Sequence, residues 1–407
     1  MGKIKIGIIG GGAAGFFAAI ELANQNPSFE ICIFERGAQV LEKVKISGGG
    51  RCNVTNACFE PKELIQFYPR GGKSLLNCFY TFQPKDTIDW FQKRGVPLKI
   101  EADNRVFPIS NLSQSIIDVL VKEAQKNHVI IKTSSRINEI KYENNKWELI
   151  DGMNNSLHFD QILIACGSSS AIWKSLEKLG HPIHSPVPSL FTFNIQHPII
   201  QNLMGISVKN VSIKINDSKF SSTGPLLITH WGLSGPAILK LSAWGANILN
   251  ERQYNFTIDI NWAPQYNGES IKHFLQQTKL EWAKKQIHSN NPFEFPGRLW
   301  ENMLKSIEIS DKKWADLNKN EAQKLSELIT KTTFTVKGKS TNKDEFVTCG
   351  GVSLKDVNFK TMESKLFPGL YFAGEVLDID ALTGGYNFQA AWTTGWIAGQ
   401  NIGKNLI

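Results

Sequence analysis

The apolar positions at the start of the chain run without a break. Residues 3–9 (KIKIGII) are β-branched and apolar, the pattern of a strand buried on both faces. A glycine cluster follows. Ala13 to Gln25, rich in Ala, Phe, Leu and Ile, then predicts a helix that Asn26-Pro27 stops. Residues 29–35 (FEICIFE) predict a second strand, completing a strand–turn–helix–strand unit. Helical spacing returns over 84–94 and 111–127. Short strands are predicted in 128–150, and 159–166 (FDQILIAC) reads as another buried strand.

The texture changes near residue 182, where Pro182, Pro186, Pro188 and Pro198 punctuate the chain. Alternating stretches at 190–195, 207–215, 225–230 and 254–262 predict an antiparallel sheet or small barrel. Residues 267–330 are helical in pattern, and 332–338 return to strand. The closing segment, a strand at 369–376 and a helix at 386–402, resembles the opening one. The expected fold is therefore α/β. A discontinuous Rossmann-like nucleotide-binding domain occupies 1–187 and 346–407. A β-barrel-like domain (188–266, returning at 331–345) is inserted in it, with a small helical subdomain (267–330) nested inside that.

Of 407 residues, 42% are hydrophobic and 20% charged, which excludes a disordered or low-complexity chain. The net charge of +8 admits an anionic partner, but it is diffuse and no basic–aromatic motif stands out. Nucleic acid is accordingly not the expected partner, and no obligate protein partner is evident. Six cysteines are scattered without a CxxC pair, so a zinc site is not expected and a reducing, cytoplasmic location is. The apolar start is interrupted by glycines, unlike a signal peptide, and no long apolar run predicts a membrane span.

The chemistry concentrates in Gly10-Gly11-Gly12-Ala13-Ala14-Gly15, a G-x-G-x-x-G between strand and helix. Gly10 permits the tight turn, Gly12 lets backbone approach a pyrophosphate, and Gly15 lets helix and strand lie close. The N–H groups of Ala13 and Ala14 open the helix, where phosphate is favoured. Glu35, followed by Arg36, ends the second strand 20 residues after Gly15. A carboxylate there can accept both ribose hydroxyls, and it would repel the 2′-phosphate of NADP.

The fingerprint does not separate NAD from FAD. Gly369-Leu370-Tyr371-Phe372-Ala373-Gly374-Glu375 resembles the second FAD signature of two-dinucleotide-fold flavoproteins. Ile162-Leu163-Ile164-Ala165-Cys166-Gly167 resembles their central strand end, with Ala165 and Gly167 beside the cofactor. Two further segments, Lys45-Ile46-Ser47-Gly48-Gly49-Gly50-Arg51-Cys52-Asn53-Val54-Thr55-Asn56 and Thr383-Gly384-Gly385-Tyr386-Asn387-Phe388-Gln389, look like hallmarks of the BaiN/YhiN-like, or aminoacetone-oxidase-family, flavoproteins. The resemblance covers the whole chain. It departs at Cys166-Gly167-Ser168, where members more often carry Thr-Gly-Gly.

That resemblance implies an FAD-dependent oxidoreductase with tightly held FAD, acting on a small organic substrate. Reduction of conjugated carbonyl compounds and oxidation of small amines both remain open. With no second G-x-G-x-x-G, NAD(P)H would bind only transiently as electron donor. Ser47, Gly48, Gly49 and Gly50 are expected to present backbone to FAD, with Cys52 and Asn53 beside them. Arg51 is expected at the pyrophosphate or the flavin C2=O. Gly374 and Glu375 are expected at the ribityl phosphate. Asn387 and Phe388 open a helix aimed at the flavin pyrimidine, Asn387 either capping it or bonding the ring through backbone. Ile137 is either an adenine contact or a core residue. Arg51, Tyr386 and His230 are the catalytic candidates, with Tyr386 equally readable as a packing aromatic. Three other functions compete. They are a disulfide reductase using Cys52 and Cys58, a flavin-dependent tRNA-modifying or RNA-binding protein, and a non-catalytic flavin sensor. The disulfide pair is disfavoured because five residues intervene where such enzymes have four.

Overall fold

The computed structural model describes residues 3–340 and 347–406. The last residues of the predicted 331–345 return therefore lie outside the described residues. The chain forms two compact units, one of residues 1–187 and 347–407 and the other of 188–346.

The first unit is α/β and Rossmann-like. Strand β1 (Lys5–Ile9) leads into helix α1 (Ala13–Gln25), which returns to strand β2 (Glu30–Phe34). β1 is an interior strand of a seven-stranded sheet, next to its central strand. It pairs in parallel with β2 on one side and with the strand Gln161–Ile164 on the other. Ile130–Lys132 extends the sheet beyond β2, and Leu370–Phe372 extends it beyond Gln161–Ile164, both in parallel. Ile6, Ile8, Ile33, Ile162, Leu163 and Ile164 are all fully buried, as the unbroken apolar runs require. An antiparallel meander of Ile137–Glu143, Lys146–Asp151 and Ser156–Phe159 precedes the fourth parallel strand in chain order, Gln161–Ile164.

The C-terminal helix (Tyr386–Asn401) lies directly on α1. A Cβ on Gly395 would sit 2.6 Å from the Ala14 carbonyl oxygen, and one on Gly399 would sit 2.6 Å from that of Ala18. The two glycines let one helix backbone rest against the other. Both pairs advance in the same chain direction, so the helices are parallel. In that register the C-terminal helix begins roughly eight residues, about 12 Å, ahead of α1.

The second unit is built on a seven-stranded sheet whose pairings are antiparallel. The order is Thr332–Lys337, Asn255–Asn261, Ser207–Ile215, Ser221–Ile228, Gly232–Ser234, Thr192–Asn194 and Lys339–Ser340. The strict alternation of buried and exposed residues along Thr332–Lys337 leaves one face dry. Helices within 267–330 share that dry core. Leu299, Trp300, Leu325 and Ile329 cluster with Ile213, Ile258 and Phe334. Among the described residues, no helix is long and apolar enough to cross a membrane.

Candidate functional site

The turn from β1 into α1 shows why each fingerprint position is glycine. Gly10 has φ +115°, and a Cβ there would meet the Ala165 carbonyl oxygen at 2.4 Å. A Cβ on Gly15 would meet the Gly10 oxygen at 2.1 Å. Gly12 is different. Its backbone is extended, and a Cβ would find no atom within 4 Å. Open space therefore stands in front of the first turn of α1, which has no side-chain cap and no acidic residue. Free N–H groups and the positive end of the helix face that space.

Glu35 closes one side. Its carboxylate accepts the Gly11 N–H at 2.9 Å and the Gly37 N–H at 2.7 Å, one on each oxygen. Further lone pairs remain on both oxygens. Backbone bonds from Ser135 to Glu35 O and from Ser134 to Gly37 O bring the approach to Ile137 to the same corner. The Ile137 side chain itself is buried in the apolar core. Arg36 is exposed.

The other side is formed by the end of Gln161–Ile164. Ala165 donates to Ile9 O, which sets it beside Gly10. Gly167 faces Glu375, 3.6 Å from a Cβ position to Oε2. Glu375 is ion-paired with Lys43 and also accepts the Thr348 N–H. Gly374, at φ +75°, lies against Ala14, where a Cβ would sit only 3.0 Å from the Ala14 Cβ, and its N–H donates to Thr394 Oγ1 at 2.9 Å.

The Ser47–Gly50 stretch leaves helical geometry at Ser47, and Gly48, Gly49 and Gly50 all take positive φ. Side chains at Gly49 and Gly50 would meet nothing within 4 Å, so this turn also borders open space. Ser113 holds it from behind, donating from N to Gly50 O and from Oγ to Lys45 O. Arg51 follows the turn. Its guanidinium lies 3.9 Å over the Phe107 ring and 2.8 Å from Glu101.

Residues 53–56 then clamp the start of the C-terminal helix. With its amide oriented to satisfy both ends, Asn53 accepts the Gly385 N–H at 2.9 Å and donates to Thr55 O at 3.0 Å. Asn56 donates to Gly384 O, Thr55 Oγ1 to Gln389 Oε1, and Trp392 Nε1 to Val54 O. A Cβ on Gly385 would strike Thr55 backbone at 2.5 Å. Asn387 does not cap the helix with its side chain. It instead makes two bonds to the Ala381 backbone, fixing the loop before it. The helix N-terminus is thus free of side-chain caps and acids, like that of α1.

Tyr386 is 6% exposed, stacked on Phe67 with centroids 4.3 Å apart, and burial pushes its phenol well above the usual range. That is a packing aromatic, and a reluctant ionisable group. Phe388 stacks on Trp392. Behind this loop, buried Asp380 pairs with both ends of the Arg70 guanidinium fork.

The structure thus brings most of the expected residues to one region of the first unit. His230 is not among them. It lies in the second unit, exposed on a turn closed by the Thr229 N–H to Gly232 O bond. Burial pushes the Cys52 thiol up to about 12 and also raises that of Cys58. A thiol that stays protonated is a poor redox nucleophile, which counts against the disulfide-reductase alternative. Sequence reasoning missed Lys43, Thr394 and the Gly395/Gly399 spacing. The small-x-x-x-small pattern in the last helix was the legible signal for close helix packing.

Residues 4–401 match the HI0933-like protein Rossmann domain, and the chain belongs to that family of FAD-dependent oxidoreductases. A protein of Escherichia coli (strain K12) named ribosomal RNA dihydrouridine synthase is 30% identical over 407 residues, covering 97% of each chain. A 3-dehydro-bile acid delta(4,6)-reductase of Clostridium scindens is 26% identical over 411 aligned positions, covering 97% of this chain and 98% of that one. Among solved structures, the fold is similar to a 3-ketosteroid-delta4-(5alpha)-dehydrogenase from Rhodococcus jostii RHA1. That match has TM-score 0.51 and 13% identity and covers 98% of this chain and 97% of the other.

Proposed function

From membership of the HI0933-like family, we propose that this flavoprotein reduces a carbon–carbon double bond conjugated to a carbonyl, drawing electrons from NAD(P)H. The observation that carries the reading is shared chemistry. Two relatives spanning nearly the whole chain are named for saturating such a bond, one in a uracil ring and one in a steroid. FAD, when bound, supplies the hydride chemistry.

The residues present fit that cofactor. The open space before Gly12 and the uncapped first turn of α1 suit a pyrophosphate, held by the N–H groups of Ala13 and Ala14. Glu35 keeps lone pairs for ribose hydroxyls, and the backbone leading to Ile137 suits the adenine edge. Gly49 and Gly50 leave room for a flat ring. The start of the C-terminal helix, set about 12 Å ahead of α1, offers N–H groups of Asn387 and Phe388 to a carbonyl that gains negative charge on reduction. Arg51, held by Glu101, is given an orienting role on the glycine turn rather than a direct one. Residues 1–187 and 346–407 are taken as the FAD-binding domain. The six free thiols fit a cytoplasmic setting.

The expectation against nucleic acid rested on diffuse charge and on the lack of a basic–aromatic motif. The relative at 30% identity weighs the other way, so an RNA uracil stands beside a small enone as acceptor. Anaerobic mixing with NADH and NADPH, followed by addition of a uridine-containing RNA or a steroid enone, tests the proposal. Flavin bleaching by a nicotinamide and recolouring by one acceptor is expected. Flavin that no acceptor of this class reoxidises overturns it.

A further inference from the structure

The wet face of the second unit's sheet has an unusual make-up. Cross-strand pairing puts Ser221, Lys214, Asp259 and Thr333 in one row across four strands. Thr223, Ser212 and Asn261 make the next row, and Thr257 pairs with Thr335 and Asn255 with Lys337. A bulge between Val208 and Val211 turns both Lys209 and Asn210 outward. The face is therefore mostly hydroxyls, amides and lysines, with Pro225 and Leu227 its apolar residues on the strand Ser221–Ile228. Its one carboxylate, Asp259, is already engaged by Asn216, Thr333 and Lys331. Lys209, Lys214 and Lys337 are exposed and make no ion pair among the described residues.

At the end of the strand Ser221–Ile228, Trp231 is 60% exposed. It does not hang on a loose loop. Its carbonyl accepts the Ile195 N–H at 3.0 Å, its turn is closed by Thr229 to Gly232 at 2.8 Å, and its ring meets His230 edge-on. A large apolar ring held out in water by a rigid turn is a stacking platform.

We infer that this face docks single-stranded or looped RNA. The lysines neutralise phosphates, the hydroxyls and amides bond the sugar–phosphate chain, and Trp231 stacks on an unpaired base. The inference rests on the proposed reduction and names its acceptor as a uridine in RNA. A stacked, splayed single strand is what lysine-and-aromatic surfaces recognise, whereas a small enone needs neither.

The test is fluorescence anisotropy of the FAD-loaded full chain with a short labelled uridine-containing RNA at 50 and 200 mM salt. Replacing Lys209, Lys214 and Lys337 together by Gln removes three phosphate contacts. The slope of log affinity against log salt should flatten by about 2, so the variant loses roughly twenty-fold less affinity than the parent across that salt range. W231A should weaken binding about ten-fold and leave the slope unchanged. Both variants change residues of the second unit only, leave every cradle residue of the first unit intact, and should keep full flavin content and nicotinamide-driven bleaching. A parent that does not bind RNA, or a lysine variant with the parental slope, overturns the inference. RNA that binds as expected without reoxidising the flavin leaves the docking face standing and defeats the proposed reduction instead.

Discussion

Gly12→Val separates the fold from the cofactor. Gly12 has φ −94° and ψ −169°, a region β-branched residues prefer, and no atom lies within 4 Å of its would-be Cβ. The protein without flavin should therefore tolerate valine. Reduced freedom of the unfolded chain should even add about 0.5 kcal/mol. The valine methyls would instead fill the space before α1, where the helix N–H groups meet phosphate. Losing two charge-assisted hydrogen bonds of about 2 kcal/mol each weakens FAD by about 4 kcal/mol, close to a thousand-fold. Flavin-free protein can be prepared, its melting temperature measured, and FAD titrated by fluorescence quenching. Affinity within a few-fold of the parent would refute the placement of the pyrophosphate. A variant that fails to fold without flavin would refute the claim that the space is open.

Four other outcomes follow from the same geometry. Gly395→Ala adds a methyl 2.6 Å from the Ala14 oxygen, and overpacking less the helix gain should cost about 2 kcal/mol in urea unfolding; no loss would mean the helices are not in contact. Glu35→Ala should weaken FAD by about 1–3 kcal/mol through lost ribose bonds, and unchanged affinity would remove Glu35 from the site. Asp380→Asn removes the buried carboxylate charge that pairs with the mostly buried Arg70 guanidinium and should cost about 3 kcal/mol of stability, measured by the same unfolding assay. Burial raises the thiols of Cys52, Cys78, Cys166 and Cys349 from 9.0 to about 12, so the folded state holds protons that the unfolded chain releases above pH 9. Stability should thus be full below pH 9 and fall as pH rises towards 12, by up to about 1.4 kcal/mol per pH unit for each thiol, and a flat alkaline profile would contradict their burial.

The parallel sheet was readable because its strands are buried on both sides. Unbroken runs such as KIGII and QILI have no other soluble use when turn signals bound them. The glycine fingerprint was readable because Gly10 and Gly15 answer steric demands of the turn while Gly12 leaves the space before α1 open. For Arg51 the sequence shows a cation but not its neighbours. Phe107 and Glu101 lie 50 or more residues away and take the guanidinium first. For Asn387 the sequence left a side-chain cap and a backbone bond open, and the amide is committed to Ala381. The helical stretch 267–330 reads as a separate subdomain from its texture, yet its apolar residues join the sheet's core. Periodicity shows which face is dry but not what dries it.

The account stands on two uncapped helix starts, one at each end of the chain, holding a single dinucleotide. The direct measurement is the identity and stoichiometry of the flavin released on denaturing purified or reconstituted protein. One FAD per chain, with FMN unable to replace it because Glu35 and the adenine corner would go unused, is the expected result. A colourless protein that added FAD does not reconstitute, or one that accepts FMN equally well, would contradict it.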